Sequence, residues 1–236
     1  MKFASPLTEG TLIKRYKRFL ADIRLDDGTE ITAHCANPGA MLGLKEAGQR
    51  VWLSKSDNPK RKLAYSWELT EADNTIIGIN TARPNALVEE AINNGTISEL
   101  QGYETLRREV KYGKNSRIDM LLSDGGKPDC YVEVKNVHLL RTARLYEFPD
   151  SVTARGAKHL AELADMVADG HRAVMVYLIQ RDDGDRLRFA AEIDPTYASA
   201  LAKAHKAGVE AIAYVCRLTP EGIDAYRSVP VEIPQG

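Results

Sequence analysis

The sequence predicts a two-part α+β chain, with a small β-barrel over residues 1–83 and an α/β sandwich over residues 84–236. Three observations carry that prediction. The first third is a series of short extended segments separated by Gly, Asn and Asp turns. Near Pro84 the texture changes, and strand patterns begin to alternate with amphipathic helical ones. The apolar run at residues 173–179, Ala-Val-Met-Val-Tyr-Leu-Ile, reads as a strand covered on both faces.

Residues 11–25 read as one long extended segment, and Asp26-Asp27-Gly28 turns the chain into a strand at 29–35. The loop Asn37-Pro38-Gly39 follows, then a strand at 51–55 and a turn begun by Asp57-Asn58-Pro59. Leu63, Tyr65, Trp67 and Leu69 alternate with Ala64, Ser66, Glu68 and Thr70, the period of a half-buried strand. A last strand at 75–80 follows Asp73-Asn74. Roughly five strands in so short a span fit an OB-like barrel, and an SH3-like barrel reads much the same. Trp52 and Trp67 are expected in the barrel core. Beyond Pro84, a helix is expected over 85–93, then strands at 106–112, 117–122 and 130–135. Leu160, Leu163, Ala164 and Val167 give a helix over 153–168 one apolar face, and Gly170 stops it. Peripheral helices are expected at 197–207 and 222–227.

Composition narrows the class. The three cysteines, Cys35, Cys130 and Cys216, are too few and too scattered for a disulfide framework or a zinc site. A reducing compartment is therefore expected, and the cytoplasm, with nucleoid association compatible, is the expected location. Residues 1–10 lack the apolar core of a signal peptide, and the run at 173–179 is too short to span a bilayer, so no membrane partner is expected. The net charge of −1 conceals a balance of +3 over residues 1–83 and −4 over the remainder. Overall charge thus says nothing against a polyanionic partner.

The chemistry is concentrated in Ser116-Arg117-Ile118-Asp119, a Gly-rich turn, and Val132-Glu133-Val134-Lys135. Arg117 and Asp119 share one strand face, opposite Ile118, Met120 and Leu122; Tyr131, Glu133 and Lys135 share one face of the next strand. A hairpin centred on Gly126 places Asp119 across from Glu133, about 5 Å apart at Cβ. Two facing carboxylates repel. Either Lys135 and Arg117 neutralise them as a surface charge cluster, or a divalent cation with hard oxygen ligands sits between them. In the second case Mg²⁺ or Mn²⁺ would serve hydrolysis at phosphorus, with Lys135 orienting water or stabilising developing charge.

An acid on one strand followed by Glu-x-Lys on the next resembles the PD-(D/E)xK nuclease superfamily. The chain as a whole, from residue 7 to about residue 215, resembles the sugar fermentation stimulation protein A (SfsA) family. The stretches that carry this resemblance include Lys14-Arg15-Tyr16-Lys17-Arg18-Phe19-Leu20, Ala33-His34-Cys35-Ala36-Asn37-Pro38-Gly39 and Arg61-Lys62-Leu63. Glu109-Val110-Lys111-Tyr112-Gly113, Tyr131 to Asn136, Phe148-Pro149-Asp150-Ser151-Val152-Thr153, Arg155-Gly156 and Lys158-His159-Leu160 extend it. The resemblance implies an OB-like domain followed by a nuclease-like α/β sandwich, DNA binding with little sequence preference, and a link to sugar (maltose) metabolism. It assigns Asp119, Glu133 and Lys135 the acid, Glu and Lys places of the motif, and leaves a further metal-binding Glu on the preceding helix, Glu89 or Glu90. Glu109 is an outside candidate. Two functions compete: a Mg²⁺-dependent DNA nuclease, and a non-catalytic DNA-binding regulator.

Lys14, Arg15, Tyr16, Lys17 and Arg18 place four cations around one ring, the composition that grips phosphates and stacks a base. Read as a strand, Arg15 and Lys17 share one face and Lys14, Tyr16 and Arg18 the other. Arg61 and Lys62 extend the cluster, and Arg117 joins the candidate DNA contacts. Arg155, Lys158, His159 and Glu162 form a polar stripe opposite the apolar face of their helix; the first three are candidate DNA contacts, and an exposed solvated stripe is the alternative. The expected partner is DNA, with other nucleic acids as further candidates.

Overall fold

The computed structural model describes residues 1–113 and 116–235. The first unit is built from β1 (Thr8–Tyr16), β2 (Leu20–Leu25), β3 (Glu30–His34), β4 (Arg50–Lys55), β5 (Tyr65–Ala72) and β6 (Thr75–Gly78). Antiparallel pairing runs β3-β2-β1-β4-β5-β6, and a parallel contact, His34 with Ser66, closes β3 onto β5. The result is a closed five-stranded OB barrel, with β6 folded back on β5. Leu12, Ile23, Leu53, Trp67 and Ile77 fill it.

Three sequence expectations change here. The 11–25 segment is a hairpin, and Lys17 and Arg18 form its turn with φ of 46° and 63°. Neither residue lies on a strand face. β5 is buried on both sides, because Ser66, Glu68 and Thr70 are covered as fully as Trp67 and Leu69. Glu68 tolerates this through hydrogen bonds from Arg83, Asn80 and Ser54. Trp52 leaves the barrel core and packs with Leu69 into the core of the second unit.

That unit begins with α1 (Pro84–Asn93), whose first position holds the proline. It continues with β7 (Thr105–Tyr112), β8 (Ser116–Asp124), β9 (Lys127–Val137), β10 (Leu139–Thr142), β11 (Arg144–Phe148), α2 (Ala154–Ala168), β12 (Arg172–Ile179) and β13 (Gly184–Phe189). It ends with α3 (Pro195–Lys206), β14 (Glu210–Thr219), β15 (Gly222–Val229) and β16 (Val231–Glu232). The main sheet runs β15-β14-β12-β9-β8-β7, and β10-β11-β13-β16 make a second, smaller one. β12 lies parallel to both β9 and β14, which explains its uninterrupted apolar run. α1 covers one face of the main sheet, while α2, α3 and the small sheet cover the other.

The helix expected at 222–227 is instead β15. Ile223, Ala225 and Val229 are buried while Asp224 and Ser228 are exposed, and the strand pairs antiparallel with β14. The chain start also belongs to this unit. The Met1 ammonium donates to the Ile223 carbonyl at 2.7 Å, and Lys2 bridges Gly222. No helix among the described residues is long and apolar enough to cross a membrane.

Candidate active site

β8 and β9 pair Met120 with Val132, Leu121 with Tyr131 and Leu122 with Cys130. This is the register expected from a turn centred on Gly126. At Asp119 the side chain takes over from the ladder: Oδ2 accepts the Val134 N–H at 2.8 Å, and Oδ1 accepts from Asn85 Nδ2 at 2.8 Å. The face assignment shifts at the same point. Ile118 packs with the α2 side and Met120 and Leu122 with the α1 side, so the alternation breaks between them. The partner strand is distorted there, since Glu109 has φ of 53° between the pairs Arg108–Met120 and Val110–Ile118. Asp119 thereby sits at an irregularity that aims its carboxylate at β9.

Glu133 is 3% exposed. Its Oε1 accepts from Lys135 Nζ at 2.6 Å and from His159 Nδ1. Arg155 Nε donates to the other His159 nitrogen at 3.2 Å, which leaves Nδ1 to donate to Glu133. Glu133 Oε2 is buried without a hydrogen-bond partner. Burial raises the Asp119 pKa, and the neighbouring Glu133 charge adds to the effect, against the Val134 N–H and Asn85. Burial also acts on Glu133, but His159 and Lys135 outweigh it and hold that carboxyl below its ordinary value. The two acids are therefore unequal: Lys135 also favours the Asp119 charge, but burial and Glu133 prevail there, whereas at Glu133 the two cationic partners prevail.

An unpaired buried carboxylate oxygen is expensive, and a hard cation between Glu133 Oε2 and Asp119 would satisfy it and relieve the repulsion. The donor set fits such an ion. Among the described residues no group of three or more His, Cys, Asp or Glu side chains is arranged to hold a metal. A two-carboxylate set completed by water and substrate oxygens is what Mg²⁺ or Mn²⁺ accepts, unlike zinc.

The helical acids do not complete it. Glu89 pairs with Arg108 at 3.4 Å and Glu90 with the Met1 ammonium at 2.9 Å, and neither lines the cleft. Both look outward because α1 presents Leu87, Val88 and Ala91 to the core. Asn85, at the start of α1, is the helical residue that reaches Asp119. Glu109 is exposed and offers only its carbonyl, to Arg117.

The three motif residues open into a cleft of about 380 Å³, lined also by Thr81, Asn85, Asn136, Thr153, Arg155 and His159. Thr153 caps α2, its side-chain oxygen accepting the Gly156 N–H at 3.0 Å. The polar stripe of α2 is split: His159 and Glu162 are buried, while Arg155 and Lys158 remain exposed. Lys158 meets Glu162 at 3.5 Å and Ser116 Oγ at 3.3 Å.

The remaining cations are dispersed. Lys14 and Tyr16 share a face, as expected, and both meet Asp22. Arg15 faces the other way and donates to the carbonyls of Asn37 and Gly39 at 2.8 and 3.1 Å. Arg15 and Arg18 line a second cleft of about 620 Å³ between barrel and α/β unit. Arg61 donates to Ser66 Oγ, and Lys62 is exposed beside it. Arg117 lies in a separate depression with Lys111 and Ser116, away from Asp119.

Sequence reasoning missed Asn85, His138 and the part played by Asp150. His138 Nε2 donates to Asp150 Oδ2 at 3.3 Å, and Asn136 Nδ2 donates to His138 Nδ1 at 3.0 Å. The same Asp150 oxygen accepts the Met41 N–H of the barrel loop at 3.0 Å. Asn136, one residue beyond the Glu-x-Lys motif, could have been found by position. The part played by Asp150 was hidden because its Met41 contact crosses the unit boundary.

Comparison with known proteins agrees with this architecture. The family described as "SfsA N-terminal OB domain" matches residues 13–79, and "Sugar fermentation stimulation protein RE domain" matches residues 82–222. A sugar fermentation stimulation protein homolog of Paramagnetospirillum magneticum is 62% identical over 95% of this chain and 94% of its own length. The homolog of Maricaulis maris is 57% identical over 100% of both chains. Among solved structures, Pyrococcus furiosus SfsA in complex with Ca²⁺ superposes with a TM-score of 0.88 at 26% identity, over 99% of this chain and 98% of that one. An OB barrel joined to this α/β unit, matched along nearly its whole length by such relatives, makes the chain a member of the sugar fermentation stimulation protein A family.

Proposed function

We propose that the protein hydrolyses phosphodiester bonds in DNA with Mg²⁺ or Mn²⁺ at Asp119 and Glu133. The observation that carries this reading is the buried, unpartnered Glu133 Oε2 beside the raised-pKa Asp119 at the floor of an open cleft. A bound cation would acidify a water and neutralise charge on the phosphate. The chain's own residues do the positioning. Val134 N–H and Asn85 fix Asp119, and His159 fixes Glu133. Lys135, with three donors and only one drawn to Glu133, keeps hydrogens for the attacking water or a phosphate oxygen. The relative described in complex with Ca²⁺ supports a hard divalent ion on this scaffold. Three free, buried cysteines fit action in a reducing compartment such as the cytoplasm.

The test is incubation with single-stranded, duplex and branched DNA, and with RNA, in Mg²⁺ or Mn²⁺. Cleavage of DNA is the expected result, and intact substrates at saturating metal would overturn catalysis. One observation favours the second reading, a non-catalytic DNA-binding regulator: Glu133 Oε1 already holds two donors, as a purely structural carboxylate does.

For binding, Arg15, Lys17 and Arg18 changed together to Ala should flatten the dependence of log affinity on log salt. Each lost phosphate contact removes about 0.9 from the slope on duplex DNA. An unchanged slope would take the hairpin out of the interface.

A further inference from the structure

The cleft between barrel and α/β unit continues directly from the motif cleft, since Thr81, Asn136 and Thr153 line both. One wall is the barrel loop at Asn37, Pro38 and Gly39; the other is the segment from Phe148 to Thr153. Its charge balance is positive. Arg15 and Arg18 stand against one carboxylate, that of Asp150, which accepts from the Met41 N–H, the Ser151 hydroxyl and His138. Among the described residues, three large apolar side chains stand exposed: Val152 at 73%, Phe19 at 44% and Leu42 at 42%. Val152 lines the cleft, Phe19 follows Arg18 in the hairpin turn with its ring stacked on His34, and Leu42 follows Met41, which Asp150 holds. An exposed apolar side chain on the wall of a polar cleft is available for contact with a ligand.

Cations beside exposed apolar side chains in a narrow cleft match an unpaired nucleotide, whose phosphate and base face are both accessible. Duplex bases are stacked against each other and present neither face. The cleft volume, about 620 Å³, is that of a small-ligand pocket and not of a groove for a double helix.

We infer that the interdomain cleft is a single-strand subsite, in which Arg15 and Arg18 hold the backbone and Val152 and Phe19 contact bases of an unpaired strand leading to Asp119 and Glu133. The inference rests on the reading of the protein as one that acts on nucleic acid, and it names the substrate class: strand ends, flaps or other unpaired segments.

The experiment measures fluorescence anisotropy of a labelled oligothymidine and a labelled hairpin duplex, with Ca²⁺ as the ion. Val152→Ser combined with Phe19→Ala removes apolar contacts and no charge, and a thermal melt of the double variant checks that losing the Phe19–His34 stack leaves the fold intact. Oligothymidine affinity should fall about tenfold, with its salt slope and the duplex affinity unchanged. Val152→Trp, which adds a stacking surface, should tighten oligothymidine several-fold. Unchanged oligothymidine binding in both variants, or an equal loss on the duplex, overturns the subsite while leaving nucleic-acid binding standing. Competition by free thymidine monophosphate as effective as the oligonucleotide overturns it in favour of a small-molecule site. Wild-type protein that binds neither probe brings down the underlying functional reading instead.

Discussion

Asp119→Ala and Lys135→Ala are each expected to lower DNA cleavage in Mg²⁺ by about 10³-fold while leaving DNA affinity within a few-fold of wild type. The two losses have different origins. Without Asp119 the cation keeps one carboxylate, and the buried Val134 N–H loses its acceptor, at about 1–3 kcal/mol of stability. Asp119→Asn separates these effects, because an amide oxygen can still accept the Val134 N–H while the charge is gone. Calorimetry with Ca²⁺ should then show weakened ion binding in a protein that melts like wild type. Without Lys135, Glu133 keeps His159 and an ion can still bind, so Ca²⁺ affinity should persist while cleavage is lost. Lys135→Arg is a poor rescue, since a planar fork cannot replace a compact ammonium within 2.6 Å of Glu133. Cleavage that survives both alanine variants would remove these residues from the chemistry.

Asp150→Asn is expected to cost about 2 kcal/mol of stability at neutral pH, with a marked dependence on acidity. Burial acts to raise the Asp150 pKa, but His138, the Met41 N–H and Ser151 prevail and bring it from 3.8 to about 2. A displacement of this size corresponds to roughly 2 kcal/mol. The folded pKa lies below the unfolded one, so the stabilisation is complete above about pH 4 and drains away as pH falls toward 2. The gap between wild type and variant in urea unfolding should therefore narrow as pH falls below 4. A gap of undiminished size at pH 3 would show that the carboxylate charge is not what matters. Gly39 belongs to the same contact: a Cβ there would lie 2.6 Å from Asp150 Oδ2.

What the sequence revealed and concealed follows from the range of the interactions involved. The β8–β9 register was readable because the turn is short and Gly-rich, and a hairpin carries its own offset. The barrel was readable from its turns, yet the Lys17-Arg18 turn escaped notice because it uses neither Gly, Asn nor Asp for positive φ. β15 passed for a helix although Ile223 and Ala225 alternate, since a strand of that length takes its identity from the β14 edge it completes. The polar stripe on α2 read in the sequence as DNA contacts or a solvated face. The burial of His159 depends on the acid of β9, distant in sequence, to which it donates. Glu89 and Glu90 had the right chemistry on the right helix, and only the direction in which α1 buries Leu87 and Val88 excluded them.

Trp52 and Leu69 leave the barrel to join the core formed by α1 and the main sheet, and Met1 anchors the chain start beside Ile223. The boundary that composition draws near residue 83 is thus not a thermodynamic one. Separating the halves would expose an indole and a leucine on one piece and uncover α1 on the other, so neither fragment inherits a finished interior. Melting is therefore a property of the whole chain, and a strand bound across the interdomain cleft would stabilise the barrel and the main sheet together.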